Sequence, residues 1–230
     1  RKMIKAENID KYLGGVKILD NINLEVKKGS IYGLIGPNGA GKTTLIKCLV
    51  GIYKPESGSA IITGENIIEN TKVKSRLGYV SDYQYFYPNF KIAEIKEFYK
   101  NTYPMWNEER YQNLKKLFKL DENKKIRHLS KGMKTQVSLL LNLSLMPNVL
   151  ILDEPTSGLD PVIKREVLNL LVEEVSMNET TILISTHNLG ELERICDHIG
   201  IIYEGKILAE ENIDELKTKV RKIQVALKDS

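Results

Sequence analysis

Cysteine is scarce: the 230 residues hold two, Cys48 and Cys196. They lie far apart and neither sits in a C-x-x-C or Cys/His spacing, which excludes a disulfide framework or a zinc module and fits a reducing cytoplasm. Long apolar runs are missing too. No stretch approaches the roughly 18 continuous apolar residues of a membrane-spanning helix, and Arg1-Lys2-Met3 is not followed by a signal-type run. Any work at a membrane is therefore expected to pass through a partner. Nor is there a large excess of one charge: the formal net charge is +4, and the basic clusters at 72–76, 124–127 and 217–222 are separated by acidic residues. They read as solvated faces, and no nucleic-acid partner is expected. Internal repeats and low-complexity segments are also lacking.

What is present is ordinary globular material, 42% hydrophobic and 28% charged, long enough for one α/β core with a smaller insert. Residues 4–9 and 22–26 alternate apolar and polar around Gly14-Gly15, which predicts an antiparallel edge. Residues 31–35 form a short buried run, and Leu45, Ile46, Leu49 and Val50 follow at helical spacing up to Gly51. Short strands are expected at 61–62 and 77–80. Helices are expected at 92–99, 108–118 and 132–145, then buried parallel strands at 149–152 and 181–184, each followed by a helical pattern. A hairpin over 199–203 and 207–208 closes the pattern, and 212–230 reads as a helix and then a strand-like end.

Between the run at 31–35 and the following helix, Gly36-Pro37-Asn38-Gly39-Ala40-Gly41-Lys42-Thr43-Thr44 matches G-x-x-x-x-G-K-S/T. Small residues let the backbone N–H groups wrap the phosphates of a nucleotide, and the helix N-terminus adds partial positive charge. Lys42 is expected to reach the β- and γ-oxygens and Thr43 to ligate magnesium. The apolar run at 149–152 leads directly into Asp153 and Glu154, at the strand end where open α/β sheets place ligands. Asp153 is expected to hold magnesium and Glu154 to orient or deprotonate the attacking water. His187 ends the next strand, within reach of the γ-phosphate; His128 and His198 read as structural.

The order of these motifs resembles the ATP-binding subunit of ABC transporters, over about residues 4–209. Leu129-Ser130-Lys131-Gly132-Met133 stands where that family has its LSGGQ-like signature, Ser157-Gly158-Leu159-Asp160 resembles the D-loop, and Ser185-Thr186-His187 resembles the switch histidine. Tyr12 matches the aromatic that stacks on adenine. The resemblance implies a P-loop NTPase core of α/β class with a mainly parallel sheet, formed by 1–80 and 147–210 and including an N-terminal antiparallel β subdomain. An α-helical subdomain is inserted at about 81–146, and a tail follows at 211–230. ATP and Mg2+ are the implied ligands. A second ATPase subunit, a copy or a paralogue, would face the first head to tail, with Ser130 and Gly132 of one covering the ATP of the other. Multi-span permease subunits would receive the stroke, with this chain peripheral on the cytoplasmic face of the membrane.

Lys131 and Met133 depart from the commoner Gly and Gln, and the Q-loop slot falls on Asp82, with Gln84 two residues later; either is a candidate for magnesium and its water. This form resembles bacterial type-two exporters. The alternative is a soluble ATPase of the same kind acting on a cytoplasmic assembly. Ten of the sixteen aromatics fall between Tyr79 and Trp106. The tyrosines before Pro88 are expected at an interface with a coupling helix, and Phe98 and its helical neighbours in the insert's own core.

Overall fold

A hairpin opens the chain, β1 (Lys2–Leu13) pairing antiparallel with β2 (Val16–Lys27) about Gly14-Gly15 in this computed structural model, which describes residues 1–213 and 215. Along β2 the buried Ile22, Leu24 and Val26 alternate with exposed neighbours, as a strand with one wet face requires. Then come β3 (Ile31–Ile35) and α1 (Lys42–Leu49), joined by the glycine-rich loop. Next are β4 (Ser57–Ile62), β5 (Glu65–Asn66), the single turn α2 (Thr71–Lys74) and β6 (Leu77–Val80). The helices α3 (Ile92–Thr102), α4 (Glu108–Phe118) and α5 (Lys131–Ser144) separate β6 from β7 (Val149–Asp153) in the chain. The remaining elements are α6 (Pro161–Asn178), β8 (Thr181–Thr186), α7 (Leu189–Leu192), β9 (His198–Tyr203) and β10 (Lys206–Asn212).

The strands form two sheets. One is antiparallel, in the order β2-β1-β4-β5; the other runs β10-β9-β3-β8-β7-β6, parallel except at its β9–β10 hairpin. Every residue of β7 is buried, and its side chains serve two cores by turns. Leu150 and Leu152 join the cluster built with α3–α6, and Val149 and Ile151 join the one built with α1 and the antiparallel sheet. That explains why β7 reads as a continuous apolar run, since both faces are covered.

Helix starts follow local chemistry. Asn107, Ser130 and Asp160 each accept a hydrogen bond from a backbone N–H of the first turn, and Pro161 adds a fixed φ at the start of α6. An ion pair between the half-buried Arg110 on α4 and the fully buried Glu174 on α6 joins the helical segment to the sheet's own helices.

Two expectations need correction. The closing hairpin is longer than 207–208, because β10 keeps pairing with β9 as far as Asn212 opposite His198. Phe98 is 62% exposed rather than part of a core. On α3 the buried face is set by Ile92 and Ile95, with Tyr99 packed partly against the core, and Phe98 stands one residue, about 100°, off that stripe. Beyond Asn212, Ile213 and Glu215, the helix and strand expected for the tail lie outside the described residues.

Candidate nucleotide site

Parallel register gathers the site at one sheet edge. The loop from Gly36 to Gly41 leaves the end of β3, Ile35 pairs with Thr186 on β8, and Ser185 pairs with Asp153 on β7. Gly41 has φ +108°, a left-handed conformation that a side chain would strain, and it turns the chain into α1. Lys42 is 6% exposed; its Nζ donates to the carbonyls of Gly36 at 2.6 Å and Pro37 at 3.2 Å, so the ammonium lies inside the loop's own curve. Pro37, Asn38, Gly39 and Thr43 face solvent, while Gly36, Ala40 and Gly41 are buried and Thr44 is half-buried.

Glu154 bridges the loop and the histidine. Its Oε1 lies 3.5 Å from Lys42 Nζ, within ion-pair range but without a hydrogen bond, and its Oε2 lies 3.0 Å from His187 Nδ1. Its backbone is left-handed, φ +49°, a conformation it shares with Glu69, Glu179 and Glu204. The Glu154 N–H is held there by the Ser185 carbonyl at 3.1 Å and the Ser185 hydroxyl at 3.2 Å. Asp153 is 1% exposed; Oδ1 accepts from Ser185 Oγ at 2.6 Å and Oδ2 has no hydrogen-bond partner among the described residues. A buried carboxylate oxygen without a donor is costly unless a cation completes it, so the donor set fits magnesium. Among the described residues no cluster of three or more Asp, Glu, His or Cys could hold a metal. Burial and the nearby Asp153 charge push the Tyr79 hydroxyl above its usual range.

The remaining expected residues divide into two groups. Tyr12 is the last residue but one of β1, 42% exposed, with Lys17 Nζ 5.9 Å from its ring centroid. It pairs with Lys17 across the hairpin, and the next residues, Ile18 and Leu19, pack against Gly41, so this end of the hairpin lies beside the loop. Ser130 caps α5 by accepting from Met133 N at 3.2 Å, and Gly132 is buried. Lys131 Nζ bonds Asp82 Oδ1 at 2.6 Å and Ser157 Oγ at 3.1 Å. Gln84 turns its amide onto the Ser81 carbonyl. His128 is exposed and His198 half-buried on β9, both away from Glu154 in the fold.

Residues 19–157, more than half of the chain, match the family model for ABC transporters. The chain belongs to the ABC transporter family. It is 35% identical over 224 residues to the ABC transporter ATP-binding protein YtrB of Bacillus subtilis, covering 97% of this chain and 77% of that one. It is 39% identical over 223 residues to the bacitracin transport ATP-binding protein BcrA of Bacillus licheniformis, covering 96% and 73%. Among solved structures, an ATP-binding subunit of an ABC transporter superposes with a TM-score of 0.86 at 27% identity, over 95% of this chain and 93% of that one. A dimeric post-hydrolysis state of the ATP-binding cassette MJ0796, bound to ADP and Pi, gives 0.82 at 25% identity, over 92% and 99%. This ABC cassette is an ATPase, an α/β fold with an antiparallel N-terminal sheet beside a mostly parallel one.

A second feature of the cassette lies away from the phosphate loop. Tyr79, Tyr85, Phe86, Tyr87, Phe90 and Phe98 line a groove of about 340 Å3. Tyr83, Tyr85 and Tyr87 are more than half exposed, and the rings of Tyr83 and Tyr85 meet edge to face at 4.9 Å. No helix of the described residues is long and apolar enough to cross a membrane.

Sequence reading named two residues without their contacts. Ser185 orients Asp153 and holds Glu154, yet a serine inside an apolar strand gives no sign of this until register sets it opposite Asp153. Lys131 stood out as a departure from the signature, but its partners lie 49 and 26 positions away in sequence.

Proposed function

We propose that the chain is the ATP-hydrolysing subunit of a bacterial exporter and works as one of a head-to-tail pair. The carrying observation is the alignment of Lys42, Glu154 and His187 at one strand edge, one carboxylate within 3.5 Å of the loop lysine and 3.0 Å of the histidine. The loop from Gly36 to Thr44 would hold the phosphates, Tyr12 the adenine, and Thr43 and Asp153 the magnesium, with the Asp82–Gln84 loop nearby. The metal would neutralise charge developing on the phosphate oxygens. Glu154 then takes the proton of, or aims, the attacking water, and His187 steadies that carboxylate and the γ-phosphate.

Ser130 and Gly132, at the start of α5, offer donors and a helix dipole to a nucleotide held by the opposing subunit. ATP thereby joins the pair and its hydrolysis releases it. The exposed aromatic groove is the surface for a helix of a multi-span membrane subunit, since tyrosine and phenylalanine are favoured at partner contacts. That contact would keep the chain peripheral on the cytoplasmic face. Relatives named for bacitracin and lantibiotic transport support the exporter reading.

Purification from the native cells in mild detergent tests the transport reading: a multi-span membrane protein is expected to accompany the chain. Its absence would leave an ATPase serving a cytoplasmic assembly. An ATPase rate that rises faster than linearly with protein concentration is expected for self-pairing, and a linear rise would assign the second position to a paralogue.

A further inference from the structure

We propose that Lys131 is a positioning residue that ties together the three loops around the hydrolytic site, and that Asp82 acts as its counter-charge rather than as a magnesium ligand. Both roles rest on the reading of Glu154 as the hydrolytic carboxylate.

Lys131 is a poor choice for the helix it begins. As the first residue of α5 it sets a positive charge at the positive end of the helix dipole, and no acidic residue in the first turn offsets it. Folding stability does not explain it either. The Lys131 and Asp82 side chains are 49% and 45% exposed, and ion pairs that open to water contribute little. What the lysine does have is two partners on two different loops, Asp82 at 2.6 Å and Ser157 at 3.1 Å.

Both loops leave strands that flank the reacting carboxylate. Asp82 lies two residues beyond Val80, the residue of β6 that pairs with Leu152 on β7. Ser157 closes the turn that begins at Glu154, its N–H donating to the Glu154 carbonyl at 3.0 Å. Close packing sets the start of the lysine's helix against the second of these loops. A Cβ on Gly132 would stand 2.6 Å from the Gly158 carbonyl, so α5 starts directly against the loop that carries Ser157. A Cβ on Gly158 would in turn lie 3.6 Å from Lys131 Cδ. A shift of α5 is therefore passed through one ammonium group to the ends of β6 and of the Glu154 turn. With its Oδ1 taken by the lysine, Asp82 is a positioning partner, and the Gln84 amide faces Ser81 and the aromatic groove.

A double-mutant cycle on the intact protein tests this, with kcat, KM for ATP and the Mg2+ dependence of nucleotide binding as readouts. Lys131→Ala and Asp82→Asn are each expected to lower kcat about tenfold with little change in KM, and the double variant to stay about tenfold down, because members of one network do not add. Lys131→Arg, which keeps a cation with several donors, is expected to hold kcat within about twofold. The Mg2+ dependence of nucleotide binding should be the same in Asp82→Asn and native protein, and melting temperatures should match. Single variants without effect, losses that multiply to about a hundredfold, or a raised Mg2+ requirement in Asp82→Asn alone would each overturn the proposal. Glu154→Gln, run alongside, separates the two failures: if it hydrolyses ATP at the native rate, the site reading falls; if it is inactive while the cycle is additive, only the role of Lys131 falls.

Discussion

The phosphate edge and the aromatic groove are built in opposite ways. At the edge almost every polar side chain already has a partner in the chain: Lys42 on Gly36 and Pro37, Ser185 on Asp153, His187 on Glu154. The atoms left over, Asp153 Oδ2 and Glu154 Oε1, are buried and acidic. On the proposed reading such an edge would suit a small, charged ligand that brings its own metal, because fixed groups stabilise developing charge with little reorganisation. The groove has apolar rings open to water, Tyr85 among them at 82% exposure, with no comparable network to fix them. A surface of that kind gains by being covered, at about 25 cal/mol per Å2 of apolar area removed from water, and on the proposed reading a helix of the membrane subunit would cover it. One region works by charges held still and the other by area waiting to be buried.

The largest effect is expected at the edge. Lys42→Ala removes a buried cation there and should weaken MgATP binding by more than about a hundredfold, about 3 kcal/mol, read by calorimetry. Binding within a few-fold of native would mean that the edge is not organised around that ammonium. In the groove, Tyr85→Ala is expected to cost about 2 kcal/mol, roughly thirtyfold, in affinity for the membrane partner while leaving the ATPase rate of the isolated chain unchanged. A fall in the isolated rate would mean that groove and edge are coupled even without a partner.

A smaller effect sharpens the contrast from the other side. Ser185→Ala leaves Asp153 Oδ1 buried without a donor and should lower the stability seen in urea unfolding by about 1–3 kcal/mol. The smallest concerns the frame beneath the groove. Glu108 is pulled down to about 2: burial alone would raise it, but Lys96, Gln112 and Trp106 outweigh burial. A carboxyl depressed in the folded state stabilises above its unfolded value near 4.5 and loses that contribution as pH falls toward 2. For so exposed a group the loss should stay under about 1 kcal/mol, seen as a flatter acid limb in Glu108→Gln.

The two regions were also unequally legible in the sequence. Nine residues between a buried run and a helix announced the phosphate loop, since Gly36, Gly41, Lys42 and Thr43 stand at the fixed offsets the chemistry needs. Asp153, Glu154 and His187 followed from strand ends, because parallel pairing brings such ends to one edge. Backbone strain at Glu154 and the hold of Ser185 left no trace, as both arise only when β7 and β8 pair. The groove was visible as composition and, through the resemblance, as an expected outward place for the tyrosines before Pro88, of which Tyr83, Tyr85 and Tyr87 are exposed. Density of rings in sequence says that apolar area is present, not which rings point outward, and Phe98 was misplaced because one step on a helix turns a side chain by about 100°. Lys131 shows the same limit: a residue whose partners are distant in sequence reads as an oddity until the fold brings Asp82 and Ser157 to it.

Glu154→Gln, assayed for MgATP binding and hydrolysis on the same preparation, tests most directly that a strand-end carboxylate acts on a nucleotide held by the loop lysine. Binding within a few-fold of native, with kcat lower by about 10²–10⁴, is the expected result. Hydrolysis at the native rate would contradict it.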